Sequence, residues 1–498
     1  MSDSGRYMMM SWYEKIFYTL KRFFKSLFCG IADFFKGIPK AIISFFKAVG
    51  RGLFFLVKSF TKGDALTKLS FVLMGSSNLF RGQIIKGFLY LIVECAYIIY
   101  MVITGASAIA GLKTLGTKKQ GWVFDEEQGI DIMQQGDNSM LMLLFGIFAV
   151  FVTIAFVILY ISNIKSAVKA EELKKSGKKL PGFVEDVRDY FDGNFHKTML
   201  SLPVLGVLTF TVLPLVFMIL IAFTNYDSKH QPPGNLFTWI GLGNFKVMLS
   251  SGGALSRTFW PILGWTLVWA VFATFLNYIF GMLLAMLINK KEIKFKGLFR
   301  TIFVLSIAIP QFVSLLIMKN MLNDQGAVNV LLKNLGLIDS YIPFLSDANT
   351  ARITIIIINL WIGIPYSMLI TTGILQNIPG YLYESATIDG ASSFTMFFKI
   401  TLPYVLFVTT PYLITQFIGN LNNFNVIYLL SGGGPSSLDY YQAGKTDLLV
   451  TWLYKLTVNS KDYSYASTIG ILVFVISAVL SLLTYRNTGS YKNEEDFQ

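Results

Sequence analysis

Cysteine and histidine are almost missing from this chain: 498 residues carry two of each, Cys29, Cys95, His196 and His230. Two cysteines cannot build a disulfide framework, and so few Cys and His leave no Cys/His metal site and no Ser/His/Asp or Cys/His catalytic set. Neither a metal nor an organic cofactor is expected. Charge is scarce too: 14% of residues are Asp, Glu, Lys or Arg, where a soluble protein carries closer to a quarter. A complete phosphate-binding loop is also missing. "QAGKTD" at 442–447 ends like one, but that motif needs a glycine five positions before Gly444, and position 439 is Asp. The first thirty residues mix Lys, Arg, Glu and Phe without an unbroken apolar core, so no secretory leader is expected there.

What is present is apolar. Hydrophobic residues make up 54% of the chain and Phe alone occurs 44 times. They are gathered into runs of the roughly 20 residues that a membrane-spanning helix needs. Eight stretches qualify: 84–104, 141–162, 198–223, 260–288, 299–321, 352–373, 405–429 and 464–484. The chain therefore reads as an all-α integral membrane protein. The net charge of +13 is explained by basic residues at cytoplasmic membrane edges, so no nucleic acid partner is expected. Lys and Arg crowd 163–197 and 290–296, while 105–140 and 224–259 hold three each. The basic loops should face the cytoplasm, and eight spans then put both termini there, in the plasma membrane.

Residues 1–83 repeat Phe, Leu and Ile at helical spacing, as in Leu20, Phe24, Leu27, Ile31, Phe34 and Ile38, with Lys and Arg on the other side. This predicts amphipathic helix lying on an anionic lipid surface, broken at Pro39 and Gly50. Residues 84–197 supply two spans and a basic linker, 198–484 the remaining six, and 485–498 a cytoplasmic tail. Glu94 lies inside the first span. A carboxylate there is either functional or bonded to neighbouring structure, and nothing else in the span suggests an ion path.

The chain looks like a conduit without its own engine. One stretch between spans six and seven, 379–403, is too polar to span and too ordered to be a linker. A short helix should start after Pro379-Gly380 and run to Asp389. Ser385 and Ala386 are small enough to let another protein surface approach closely. Gly390 permits a sharp turn. A second helix, 392–398, should offer Phe394, Phe397 and Phe398 to the membrane interface, and Pro403 leads into span seven.

Glu384, Ser385, Ala386, Asp389, Gly390, Ile400, Leu402 and Pro403 resemble the EAA loop of ABC-importer permeases: Glu-Ala-Ala, three residues, Gly, nine residues, Ile-x-Leu-Pro. Ser385 in place of the middle Ala is the one departure. The resemblance implies that this loop docks in a cleft of an ATPase subunit and carries its motion into the membrane. The last six spans are similar to the MalF-type permeases of maltose/maltodextrin importers, in "WIGIPYSM" at 361–368, "NLNNFNVIYLLSGGGP" at 420–435 and "AGKTDLLVTWLYK" at 443–455. "FTNYDSKHQPPGNLFTWIGLGNF" at 223–245 resembles the short outer loop of Gram-positive relatives, and the two extra N-terminal spans fit the same type. The likeness implies a six-helix type I importer core and a non-catalytic subunit. Its partners would be a second permease of the MalG type, two ABC ATPase subunits, an extracellular sugar-binding lipoprotein and an oligosaccharide. A galacto-oligosaccharide is the alternative substrate. An ion-coupled secondary transporter would need repeat symmetry and paired broken spans, which are not seen.

Polar residues inside a span are costly unless they face a cavity or a partner. Span seven clusters Gln416, Asn420, Asn422 and Asn423 around Gly419. Gln416, Asn420 and Asn423 share one helical face and Asn422 points elsewhere. Span six adds Gly363, where a sugar ring could approach the backbone, and Tyr366. In the MalF type the positions matching Ile362, Gly363, Tyr366, Gln416, Gly419, Asn420 and Asn423 line the sugar site. Here Gln416 stands for a Ser and Gly419 for a Phe, which implies more room.

Overall fold

The computed structural model describes residues 46–126, 129–250, 252–290 and 292–486, together with Gly37, Pro39, Lys40, Ile43 and Ser44. The amphipathic pattern from Leu20 to Ile38 and the tail beyond 486 lie outside the described residues. The described residues divide into two compact units, one lying within Phe34–Asn244 and one from Phe245 onward.

The first unit begins with a helix over 46–62 that runs straight through Gly50, so the break expected there does not form. Phe46, Val49, Leu53, Phe54, Val57 and Phe60 are exposed along it at three- and four-residue spacing, the pattern of a helix laid on lipid. Three long apolar helices follow: α1 (Ile84–Thr114), α2 (Ser139–Lys175) and α3 (Phe195–Ile221). Between α1 and α2 the chain makes a two-stranded antiparallel hairpin of β1 (Gly121–Asp125) and β2 (Ile130–Gln134), with Trp122 opposite Met133.

Two short helices, Ala65–Leu69 and Ser76–Phe80, are pinned beside α1 and α2 by buried polar groups. Arg81 donates to both carboxylate oxygens of Asp64, at 2.7 and 2.6 Å, and to the carbonyl of Ala167. Glu171 accepts from Thr67 Oγ1 at 2.7 Å. Asn163 accepts from the Gly75 amide and donates to the Ser70 carbonyl, which satisfies both sides of its carboxamide. Glu94 accepts from the Met74 amide at 2.8 Å, so this buried carboxylate holds local backbone in place. Burial pushes the Asp64 carboxyl up. The Arg81 guanidinium and hydrogen bonds from Thr67 outweigh it and bring the pKa down to about 2.

The second unit contains α4 (Ala254–Asn289), the pair α5 (Lys296–Ala308) and α6 (Gln311–Met321), then α7 (Ala348–Gln376), α8 (Gly380–Ile388), α9 (Leu402–Leu421), α10 (Phe424–Leu430), α11 (Leu449–Val458) and α12 (Tyr463–Arg486). The fifth expected span, 299–321, is not one straight helix. It bends by 86° between α5 and α6. Pro310 explains the break: it disfavours helical geometry at the residue before it, and Ile309 is extended, with φ −76° and ψ 127°. The described residues thus hold seven helices long and apolar enough to span a membrane, and eight counting the bent pair. The seventh expected span is also divided. α9 stops at Leu421 and Asn423 restarts the helix as α10 by accepting from the Val426 amide.

Around these helices, Trp265, Trp269, Leu315, Ile355, Val426 and Leu430 form one buried cluster, and Phe259, Ile262, Trp452 and Leu456 contribute to a second. The "QAGKTD" segment is a structural turn. Asp447 is fully buried and accepts from the Gly444 amide, Thr451 and Lys455, the last at 2.6 Å. Lys445 lies 3.9 Å from the centre of the Tyr440 ring.

Candidate functional site

Asn359, Ile362, Gly363, Tyr366 and Ser367 recur at helical spacing along α7 and therefore share one face. That face forms a wall of a cavity of about 390 Å³ within the second unit, inside the range of roughly 300–1,000 Å³ typical of small-molecule pockets. α9 supplies Tyr412 and Gln416, with Asn420 at its buried end, and Asn423 follows from the junction with α10. α4 adds Thr274, Asn277 and Tyr278. The bent pair adds Ser306 and Gln311 on either side of Pro310. None of the described residues lining this space is charged.

Six of the seven residues expected to meet sugar line the cavity: Ile362, Gly363, Tyr366, Gln416, Asn420 and Asn423. Gly419 does not. It is exposed, and a Cβ there would meet nothing within 4 Å. The six differ in how free they are. Tyr366 is 49% exposed, its ring 6.3 Å from that of Tyr412. Asn420 is only 8% exposed and already committed: its Nδ2 donates to Thr274 Oγ1 at 3.0 Å and its Oδ1 accepts from Asn423. Its carbonyl also accepts from Trp269 Nε1 at 3.1 Å. Gly363 has no room for a sugar ring against its backbone, because the carboxamide of Asn277 occupies that space.

Sequence reasoning overlooked Asn277, Gln311, Asn359 and Tyr412. The signal was available, since Asn277 and Asn359 are amides well inside apolar runs, the same feature that singled out span seven. Asn277 Oδ1 and Asn359 Nδ2 are buried without a hydrogen-bond partner. Each such group costs about 1–3 kcal/mol.

At the other end of α7 the loop 379–403 takes the expected shape as far as Gly390, but the second short helix is not separate: helix runs on from Ser393 through Thr401 into α9. α8 ends at Ile388 with Asp389 as its C-cap, and Gly390 has φ +73°, a left-handed conformation that other residues adopt at a cost. Ala391 N donates to Ala386 O to close the turn, and Ser392 caps the next helix by accepting from the Thr395 amide. Glu384, Ser385, Asp389 and Gly390 are exposed, and Ala386 is half-buried. The inner side of the loop is anchored: Tyr383 and Thr401 hydroxyls are 2.8 Å apart, and Leu382, Ile400 and Leu402 pack against Ile378 and Val405. Pro403 does not start a new helix: the helical backbone already runs through a wide turn at Phe397–Thr401 directly into α9, and the proline without its N–H lies just after that turn. Of the three aromatic residues expected at the membrane interface, Phe394 and Phe398 are exposed, but Phe397 turns inward onto the same cluster. The physical reason is rotation: positions 394 and 398 are one helical turn apart on one side, and 397 falls toward the helix root.

Comparison with known proteins gives consistent results. A family model described as the binding-protein-dependent transport system inner membrane component matches residues 277–488. The galactooligosaccharides transport system permease protein GanP of Bacillus subtilis (strain 168) is 37% identical over 425 residues, covering 85% of this chain and 97% of GanP. The maltodextrin transport system permease protein MalC of Streptococcus pneumoniae serotype 4 (strain TIGR4) is 34% identical over 433 residues, covering 85% of this chain and 96% of MalC. Among solved structures, a bacterial ABC transporter involved in the import of the acidic polysaccharide alginate superposes with a TM-score of 0.50 at 24% identity, over 60% of this chain and 96% of that one. That likeness is one of fold.

Proposed function

The chain belongs to the inner-membrane components of binding-protein-dependent transport systems, and from that premise we propose that it is a permease subunit importing a neutral oligosaccharide, with maltodextrin the leading substrate. The observation that carries this reading is the cavity: amides, hydroxyls and aromatic rings, with no charged side chain among its described lining residues. Sugar hydroxyls need paired donors and acceptors, and sugar ring faces lie against aromatic side chains. A uronate carboxylate would need a cation or several aimed donors to leave water, so the lining favours a neutral glycan. The likeness to MalC and the MalF-type motifs support maltodextrin. The likeness to GanP supports a galacto-oligosaccharide as the second reading.

Energy enters from outside the chain. The exposed Glu384, Ser385 and Asp389, beside the Gly390 turn, form the surface that docks on an ATPase subunit. The anchors through Tyr383, Ile400 and Leu402 pass the resulting push into α7 and α9. The working assembly is this chain, a second permease, two ATPase subunits that carry all the catalysis, and an extracellular binding lipoprotein. The basic segments 163–197 and 290–296 support a plasma-membrane topology with both termini and the Glu384–Pro403 loop in the cytoplasm. The extent of the likeness to GanP and MalC supports a Gram-positive source.

The test is uptake by cells lacking this chain, offered glucose oligomers and galacto-oligosaccharides of graded length. Loss of glucan uptake, restored by the chain, is expected. Loss confined to galactosides selects the second reading, and unchanged uptake of both series removes the proposal. For the topology, a cysteine-free version with a single cysteine at Leu438 should react with an impermeant thiol reagent on intact cells. A cysteine at Ser393 should not.

A further inference from the structure

Two amides on facing helices remain unexplained by the reading above. Gly363 and Asn277 show how closely α4 and α7 approach. A Cβ at 363 would lie 2.1 Å from Asn277 Nδ2 and 2.7 Å from its Oδ1. The glycine therefore makes a berth for this carboxamide. One helical turn before it on α7 stands Asn359, 4% exposed. Both side chains line the cavity, and each leaves one polar atom sealed from solvent and unpaired: an acceptor at Asn277 Oδ1, a donor at Asn359 Nδ2.

We propose that Asn277 and Asn359 form a hydroxyl clamp that determines which sugars pass. The proposal rests on the cavity being the sugar path. A hydroxyl carries one donor hydrogen and two acceptor lone pairs. A single sugar hydroxyl can therefore donate to Asn277 Oδ1 and accept from Asn359 Nδ2 at once. Rotation about the last torsion of an asparagine is soft, so turning each carboxamide presents its unpaired atom to the ligand. Two apolar side chains would fill the same space without leaving buried polar atoms unpaired. Discrimination follows from the same chemistry. A sugar lacking the hydroxyl, or carrying it in the other configuration, leaves both groups unpaired.

The experiment uses the full transport complex in vesicles, with maltotriose and its singly deoxygenated derivatives, or the galacto-oligosaccharide series if the parent imports that instead. Val and Thr have the same shape, so Asn277→Val and Asn359→Val are compared with Asn277→Thr and Asn359→Thr. Each Val variant should raise the import KM about tenfold or more. The double Val variant should be little worse than either single one, because both contacts serve one hydroxyl. Thr should recover part of the loss, and one deoxy sugar should no longer distinguish parent from variants. Parent-like KM values in the Val variants would overturn the clamp. So would equal losses for Val and Thr, equal effects on every deoxy sugar, or loss of complex assembly as the whole effect. Tyr366→Ala is measured alongside. If it lowers import while the Asn variants do not, only the clamp fails; if it too is silent, the cavity reading fails.

Discussion

Gly363 and Asn277 share one space: a Cβ on the first would sit 2.1 Å from the amide nitrogen of the second. No real Cβ tolerates such a contact, so Gly363→Ala must displace the Asn277 carboxamide or part α4 from α7. The expected outcome is a sharp fall in sugar import with normal membrane insertion. Shortening the neighbour as well, in Gly363→Ala with Asn277→Ser, should return part of the import. Parent-like import by Gly363→Ala alone would show that the two helices yield without consequence.

The loop turn makes a separate prediction. Gly390 sits at φ +73° with no atom within 4 Å of an added Cβ, so a substitution there is opposed by backbone conformation alone. Gly390→Val should cost about 1–2 kcal/mol in the left-handed region and tilt α8 from its docking pose. Glu384→Lys reverses the charge on the exposed face without touching the fold. Both variants should assemble poorly with the ATPase subunits and lose import. Co-purification of the ATPase in parent amounts, with parent import, would sink the docking role.

Tyr366 and Asn420 line one cavity but should fail differently. Tyr366 is half exposed, so Tyr366→Ala should lower import while the complex keeps its heat stability. Asn420→Ala strips partners from Thr274 and Asn423 and should also destabilise the complex by about 1–3 kcal/mol. Melting curves of the two purified variants, set beside their uptake rates, separate the cases. Equal melting temperatures would remove the structural role assigned to Asn420.

The Asp64–Arg81 pair predicts a pH response in the first unit. The folded-state pKa of Asp64 is lowered from 3.8 to about 2. A depressed carboxylate stabilises above its unfolded pKa and loses that contribution as pH falls through its folded one. The stability difference between parent and Asp64→Asn should be steady above about pH 5 and shrink from about pH 4 to pH 2. The change is modest, because the Asp64 side chain is 39% exposed and partly screened. Thermal unfolding of both chains across that range checks it. A difference that stays constant down to pH 2 would show that the pair does not titrate as described.

Much of this protein was legible in its sequence, for reasons of solvent and spacing. Apolar runs of about 20 residues become helices in a bilayer, because a helix satisfies its backbone within the segment and a barrel strand would need only about 9–11 residues. The turn at Gly390 was legible because the demand for a left-handed residue is local. The positions expected to meet sugar came from the likeness to MalF-type permeases; helical periodicity joined Gln416, Asn420 and Asn423, and the structure keeps only the first two of these on one helix, because α9 stops at Leu421. The tertiary structure decided what distance along the chain hides. It brought Asn277 against Gly363, across 86 positions, and so gave that glycine a different purpose from the one its type suggested. It bent the fifth span at Pro310, where a proline could equally have been absorbed, and used both sides of the bend as cavity wall. It turned Gly419 away from the cavity and Phe397 inward, and it bound Asn420 to Thr274 across 146 positions. Which polar group is spent on the fold and which is left over for a ligand depends on partners from other helices, and those partners exist only once the helices have packed.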